Sequence, residues 1–127
     1  MTKQTYLPQV MYIECKAESL SGPARIGRVT FTRTGATLRY GGKSFHRFTG
    51  GSKANYIEEG SRDPYWISGP RKDGTDRLYK SNEPVEIDDD VREEYWTQIR
   101  KKPEWKARRQ TSLSTTSRPN ATSLTRE

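Results

Sequence analysis

Cysteine and histidine are almost absent from this sequence, which contains one of each, Cys15 and His46, in 127 residues. A single thiol excludes an internal disulfide bond, and this fits a reducing compartment such as the cytosol. One Cys and one His also leave no ligand set for a zinc or iron site. The two could act as a thiol–imidazole pair only if the fold brought them together. We therefore expect no metal, no cofactor and no catalytic residue.

Apolar residues are also scarce. No run approaches the roughly 20 residues of a membrane-spanning helix, and the first ten residues lack the apolar stretch of a signal peptide. We predict no membrane association and a cytoplasmic location. Because 30% of the residues are hydrophobic and 31% charged, the core of this single domain must rely on three Trp, seven Tyr and three Phe. Such a small core makes a deep substrate cavity hard to build.

Charge is abundant but unevenly distributed. Residues 16–57 hold eight Lys and Arg against one acidic residue, residues 58–100 hold seven against twelve, and residues 101–127 hold seven against two. A net charge of +7 could attract nucleic acid. The oppositely charged segments could equally complement each other within one molecule or between copies.

Alternating apolar residues and glycine-rich turns predict several short strands. Thr34-Gly35 is typical of a hairpin turn, and Gly27, between Ile26 and Val29 that are out of phase, suggests a bulge. The predicted strand regions are 10–16, a hairpin over 24–42, 43–48, a second hairpin formed by 53–59 and 64–69, and 84–87; a turn at Asp73-Gly74 precedes the segment 76–79.

A helix follows at about residues 89–102. Val91, Tyr95 and Ile99 form one apolar stripe, the start is acidic, and Asp90 with Glu93 has the spacing of a capping box. Helix-start electrostatics also explains the Asp88–Asp90 cluster better than a calcium loop, whose glycine and ligand spacing are missing. The GGKS segment at 41–44 likewise lacks the first glycine and the helix of a phosphate-binding loop.

These elements predict a mainly β (α+β) fold. We expect a small, strongly bent antiparallel sheet or barrel with one C-terminal helix, in a single domain spanning residues 11–102. Residues 103–127 are rich in Thr, Ser, Arg, Asn and Pro, so we predict a disordered basic tail.

Basic and aromatic residues alternate along the middle strands. Single-strand nucleic-acid binders use such surfaces, because bases stack on rings while cations neutralise phosphates. Alternatively Phe45 or Phe48 faces the core and the cations are ordinary solvated surface. The candidates for this surface are Arg39, Lys43, Phe45, Arg47 and Lys53.

The segment YWISGPRKDG, residues 65–74, supplies two further candidates. In a strand, Tyr65 and Ile67 point one way and Trp66 the other. We favour Tyr65 and Ile67 in the concave core with the helix covering Trp66; the alternative leaves Trp66 exposed as a binding platform. The charges beyond Gly69 belong to a turn, where Arg71 stays open as a ligand contact.

Four phrases, MYIECK, GPARIGRVTF, YWISGPRKDGTDRLY and VEIDDDVREEYWTQIR, resemble a family of small bacterial proteins that automated naming often labels 1-deoxy-D-xylulose-5-phosphate synthase. The resemblance spans residues 11–100 and implies that Met11 is close to a natural start and residues 1–10 are an N-terminal extension. It brings no catalytic residues to this sequence. The synthase name conflicts with the residues, because Asp73-Gly74 cannot replace the Gly-Asp-Gly motif that holds metal and diphosphate in such enzymes. We predict no synthase activity.

Three functional hypotheses follow. The first is a non-enzymatic accessory or interaction module that binds a macromolecular partner, most simply a protein, through its sheet. The second is a nucleic-acid-binding protein that uses the basic-aromatic strand surface. The third is a small enzyme of unknown type.

Overall fold

In the part of the chain that the structure describes, seven strands follow one another before the helix at residues 89–99. The computed structural model describes residues 7–49, 53–77, 79, 81 and 83–111. The strands are β1 (Gln9–Cys15), β2 (Ala24–Phe31), β3 (Thr37–Tyr40), β4 (Lys43–Arg47), β5 (Tyr56–Glu58), β6 (Pro64–Ser68) and β7 (Val85–Ile87).

The first six strands close into an antiparallel barrel. Each pairs with the next along the chain, and β6 returns to β1, where Ile67 lies opposite Ile13 and Tyr65 opposite Cys15. The seventh strand, β7, lies parallel to the first half of β2, outside the barrel. The expected mainly β fold with a small barrel and a terminal helix is confirmed.

The barrel wall carries two cores because β1 and β2 bury both of their faces. Ile13 and Val29 point inward with Leu38 and Phe45 to fill the barrel, whereas Tyr12 and its outward-facing neighbours lie beneath the helix. A strand buried on both faces carries apolar residues at successive positions. Two thin cores allow a chain that is poor in aliphatic residues to bury aromatic rings on both sides of the same wall.

The predicted bulge at Gly27 is wrong. The pairing between β1 and β2 continues without interruption from Gln9 opposite Val29 to Glu14 opposite Ala24. Ile26 is out of phase with Val29 because it belongs to the second core, on the other side of the wall. Because Ile26 packs in one core and Val29 in the other, β2 shows the same sequence pattern that an inserted residue would produce.

The helix, α1, covers residues 89–99. It begins as a 3-10 turn (Asp89–Val91), continues through one α turn (Arg92–Glu94) and ends with π-type spacing (Tyr95–Ile99). The predicted stripe is confirmed: Val91, Tyr95 and Trp96 are fully buried, and Ile99 packs against the same core.

The helix ends three residues earlier than predicted, and it has no capping box. Lys101 adopts a left-handed φ of 58°, which turns the chain away from the helix axis. At the start, Asp88 occupies the cap position but makes no side-chain cap bond. Its carboxylate is instead held by residues of the barrel, as described below.

Residues 103–111 correct the prediction of a tail beginning at 103. A short turn, Pro103–Trp105, places the Trp105 ring edge-on to Trp96 with centroids 5.6 Å apart. Backbone hydrogen bonds then run from Ile87 N to Arg109 O at 2.7 Å and from Thr111 N to Val85 O at 3.0 Å. A polar segment can be ordered when its backbone pairs with an existing strand. Residues 112–127 lie outside the described residues.

The other boundaries shift only slightly. β1 begins at Gln9 and Val10 is buried, so the last two residues of the predicted extension lie in the barrel. The segment 76–79 contains no strand at its described positions 76, 77 and 79. In the described part of the chain, no helix is long and apolar enough to cross a membrane.

Candidate functional site

The two aromatic candidates pack in or against the two hydrophobic cores. Phe45 is 1% exposed and packs inside the barrel, edge-on to the Tyr65 ring at 4.7 Å. Trp66 is half-buried and packs against the second core, to which the helix contributes Val91, Tyr95 and Trp96. Phe45 is therefore a core residue and not part of a stacking surface, while the covering of Trp66 by the helix stays a prediction.

Two of the candidate cations lie away from the middle strands. Lys53 precedes β5, and its ammonium donates to the backbone oxygen of Lys16 at 3.2 Å. Arg71 lies in the loop after β6, exposed beside Asp73 with a closest nitrogen–oxygen distance of 3.8 Å. These two residues do not share a surface with Arg39.

The outer side of β3, β4 and β5 carries Arg39, whereas Lys43 and Arg47 lie on the same side of β4 as the inward-facing Phe45 and are exposed at the ends of this strand. The helix and its core cover the outer side of β1, β2 and β6, but no described residue covers the opposite half of the wall. A shallow cleft of about 430 Å³ opens there beside β4 and β5. We call the cleft together with the outer side of β3 the binding face; its members are Arg39, His46, Arg47, Phe48, Ile57, Glu58, Glu59, Gly60 and Arg62.

The binding face has an excess of cations. Its one exposed carboxylate, Glu59, is paired with His46 at 2.7 Å. Arg47 lies over the Tyr56 ring at 5.7 Å, while Arg39 forms no ion pair with any residue that the structure describes. Phe48, 39% exposed, adds an apolar patch beside these cations.

Backbone hydrogen-bonding groups at two strand edges already have partners within the chain. Where β5 is too short to pair with Ile67, the Asn55 side chain replaces it: its Nδ2 donates to Ile67 O at 2.8 Å and its Oδ1 accepts from Ile67 N at 2.9 Å. The outer edge of β7 pairs with the segment that ends at Thr111. A partner would therefore bind side chains rather than add a strand.

A second feature is a pocket of about 190 Å³ at one end of the barrel. Its inner part is formed by buried Ile13 and Phe45 with the half-buried Tyr65, and its rim carries exposed Arg25 and Lys43. We call it the mouth pocket. Its full lining is Ile13, Cys15, Pro23, Arg25, Tyr40, Gly41, Lys43, Phe45 and Tyr65.

One wall of the mouth pocket is fixed by Asp88. This carboxylate accepts a hydrogen bond from Arg25 Nε at 2.6 Å and another from the Tyr40 hydroxyl at 2.5 Å. The Tyr40 ring and the Asp88 carboxylate both pack against Gly27, where an added Cβ would lie 2.3 Å from the Tyr40 ring and 2.5 Å from Asp88 Oδ2. Burial, followed by the bond to Asp88, raises the pKa of Tyr40, which keeps its proton for that bond.

Cys15 and His46 do not meet. Cys15 faces the mouth pocket beside Tyr65, whose pKa is raised by burial and by the neighbouring thiol. His46 points outward from β4 towards Glu59. The thiol–imidazole pair that the composition allowed is thus not assembled.

A buried charge cluster beside the barrel was not predicted. Glu14 is fully buried and accepts hydrogen bonds from the Tyr12 hydroxyl at 2.6 Å and Gly22 N at 2.9 Å. Its Oε2 also lies 3.0 Å from the ammonium of fully buried Lys16 and 3.2 Å from Arg77. The strand alternation held a signal for it, because Glu14 and Lys16 share a face with Tyr12.

A second unpredicted group surrounds Arg100, which donates to the Tyr95 hydroxyl at 3.0 Å and lies over the Trp96 ring at 4.8 Å. Nearby Asp76 is 6% exposed and accepts from Arg71 N at 2.6 Å, while its second oxygen makes no hydrogen bond with any residue that the structure describes. Burial raises the pKa of the Asp76 carboxyl.

Among the described residues, no group of three or more His, Cys, Asp or Glu side chains is arranged to hold a metal ion. No protein-family model, curated protein or solved structure matches the chain.

Proposed function

We propose that this chain is a non-enzymatic, cytosolic interaction module whose binding face takes the acidic surface of a partner protein. One observation supports the proposal: no described residue covers this half of the barrel wall, and the described cations of the binding face exceed its carboxylates. On the covered half, by contrast, outward-facing charges form ion pairs within the chain, as Arg28 does with Glu94 at 2.8 Å.

The chemistry of the binding face favours an acidic protein over single-stranded nucleic acid. Base stacking needs exposed rings, and Phe48 is the exposed ring that the described part of this face offers. Arginine pairs with carboxylates through two parallel hydrogen bonds, which suits an acidic peptide or protein surface. Nucleic acid stays the second hypothesis, supported by the uncompensated charge of Arg39.

A non-enzymatic role is supported by the positions of the reactive groups. The single thiol and the single imidazole lie on different sides of the wall, and the buried carboxylate of Glu14 is surrounded by donors of its own chain. These groups are occupied by structural contacts, so we assign no catalytic role to them.

The proposal is tested by charge reversal on the binding face. Partners of the full chain are captured by cross-linking in a native lysate and identified, and the affinity of the purified pair is then measured. The double variant Arg39→Glu, Arg47→Glu should weaken binding at least about tenfold, because like charges placed opposite a partner's carboxylates repel them. Lys106→Glu is the matched control, since Lys106 is exposed outside this face.

Two results would overturn the proposal. One is an identified partner whose affinity is unchanged in the double variant. The other is salt-dependent binding of a single-stranded oligonucleotide that the double variant loses, because this would favour the nucleic-acid hypothesis.

A further inference from the structure

The mouth pocket plays no part in the proposed protein interface, because it opens at the end of the barrel rather than on its outer wall. We propose that it binds a small organic carboxylate whose apolar part is about the size of one ring. The apolar part would enter the barrel end, and the carboxylate would stay at the rim.

The volume of the pocket sets the size of this ligand. An engineered apolar cavity of about 150 Å³ accommodates benzene, and the mouth pocket measures about 190 Å³. It therefore has room for one six-membered ring and a small substituent. Pockets that bury a drug-sized ligand commonly exceed about 300 Å³, so the mouth pocket could enclose only part of such a ligand.

The walls favour an apolar body. Ile13 and Phe45 are 4% and 1% exposed and present hydrocarbon to the pocket. The hydroxyl of Tyr40 is already engaged with Asp88. A polar ligand body would therefore lose hydrogen bonds to water and gain little from this wall of the pocket.

The rim supplies the charge that recognises a carboxylate. Lys43 Nζ makes no hydrogen bond with any described residue, and its nearest carboxylate oxygen, Glu58 Oε1, lies 3.6 Å away. That separation exceeds the roughly 2.7–2.9 Å of a charge-assisted hydrogen bond, so the ammonium keeps its donors. Arg25, half exposed at the same rim, is paired with Asp88 at 2.6 Å, so Lys43 is the cation with free donors at this rim among the described residues.

Two carboxylates near the rim oppose an anion, and Oε1 of the buried one, Glu58, forms no hydrogen bond with any described residue. Asp88 accepts from Arg25 and Tyr40, and Glu58, 8% exposed, faces Lys43. A ligand carboxylate would take over the ammonium donors that Glu58 does not reach. Because a ligand carboxylate must compete with Glu58 for the Lys43 ammonium, we expect weak, millimolar binding of a small probe.

Cys15 is a built-in reporter for the test, because it is the single cysteine of the chain and lines the pocket. Benzoate serves as the probe and benzamide as its neutral isostere. Benzoate at tens of millimolar should slow the alkylation of Cys15 by iodoacetamide several-fold. It should also shift the amide NMR signals of residues lining the pocket, and benzamide should do both more weakly.

The Lys43→Met variant should bind benzoate about tenfold more weakly, because a hydrogen bond to a charged group is lost. Lys106→Met is the matched control and should bind like the wild type, since Lys106 is exposed and does not line the mouth pocket. Protein alkylated beforehand at Cys15 should not bind. Circular dichroism verifies the fold of each variant, and Lys43→Arg should retain binding if charge is what matters.

Three outcomes would overturn the proposal. They are unchanged benzoate affinity in folded Lys43→Met, equal protection by benzamide, and unaltered binding after alkylation of Cys15. None of them bears on the protein interface, whose test uses Arg39 and Arg47.

Discussion

Glu14 offers the strongest test of how this barrel is stabilised. It is fully buried, and it is the carboxylate shared by the Lys16 ammonium, the Arg77 guanidinium and the Tyr12 hydroxyl. The substitution Glu14→Gln keeps the shape of the side chain and removes its charge. Lys16, itself 0% exposed, would then be left without its counter-ion.

The expected cost follows from burial. Removing one partner of a buried ion pair costs about 3–5 kcal/mol, because the other charge stays desolvated without compensation. A domain of this size is stable by about 5–15 kcal/mol in total. Since 1 kcal/mol shifts the Tm of a small domain by about 4–8 °C, Glu14→Gln should lower the Tm by at least about 12 °C.

The measurement is urea unfolding, followed by tryptophan fluorescence and far-ultraviolet circular dichroism. Glu59→Gln is the matched control, because it removes a carboxylate charge from a pair on the surface. Glu59 is 65% exposed and pairs with His46. That variant should lose less than about 1 kcal/mol. Removing both charges, in Glu14→Gln with Lys16→Met, should restore part of the loss.

The reasoning is refuted if Glu14→Gln unfolds within about 1 kcal/mol of the wild type. It is also refuted if the double variant loses the sum of the two single losses, because independent sites add whereas paired charges couple.

Three further predictions concern other contacts. Gly27→Ala should cost about 1–3 kcal/mol in urea unfolding, because its Cβ would collide with the tyrosine ring and the aspartate that rest on this glycine. Trp105→Ala should cost a similar amount, because the Trp105 ring packs on Trp96 and its segment pairs with β7. For Asp76, burial raises the pKa in the folded protein, so the folded state holds this proton more tightly than the unfolded chain does. The wild type should therefore gain stability relative to Asp76→Asn as the pH falls from about 7 to about 4, measured by unfolding both proteins at each pH.

Each of these predictions has a control. Gly69→Ala, where an added Cβ meets nothing within 4 Å, should be nearly neutral, and an equal loss at both glycines would contradict the steric argument. An unchanged midpoint for Trp105→Ala would mean that residues 103–111 contribute nothing to the fold. A stability difference between the wild type and Asp76→Asn that is independent of pH would show that burial does not perturb this carboxyl.

Local patterns predicted the elements of the fold well. The alternation in β2, β3 and β4, the turn at Gly35 with its φ of 78°, and the stripe of α1 all depend on residues close together in sequence. Steric preferences and periodicity act over such short ranges, so they can be read without the fold. The closure of β6 onto β1 was only one of two alternatives, because both a bent sheet and a barrel fit the same strands.

The candidate surface was predicted only in part. Arg39, Lys43 and Arg47 are exposed on or beside the middle strands as expected, since a charged side chain seldom leaves water without a partner. Phe45 and Trp66 were harder to place, because alternation shows which residues share a face but not which face another element covers.

By itself, the sequence determined the strands, the helix, the shortage of metal ligands and the uneven charge. Tertiary structure alone decided which residues separated along the chain would meet. It brought Cys15 to Lys43 at the mouth pocket, drew Asp88 from the helix cap to Tyr40, and ordered residues 103–111 along β7. The reason is physical: the free energy of a buried charge or an unpaired backbone group depends on partners that only the closed fold brings near.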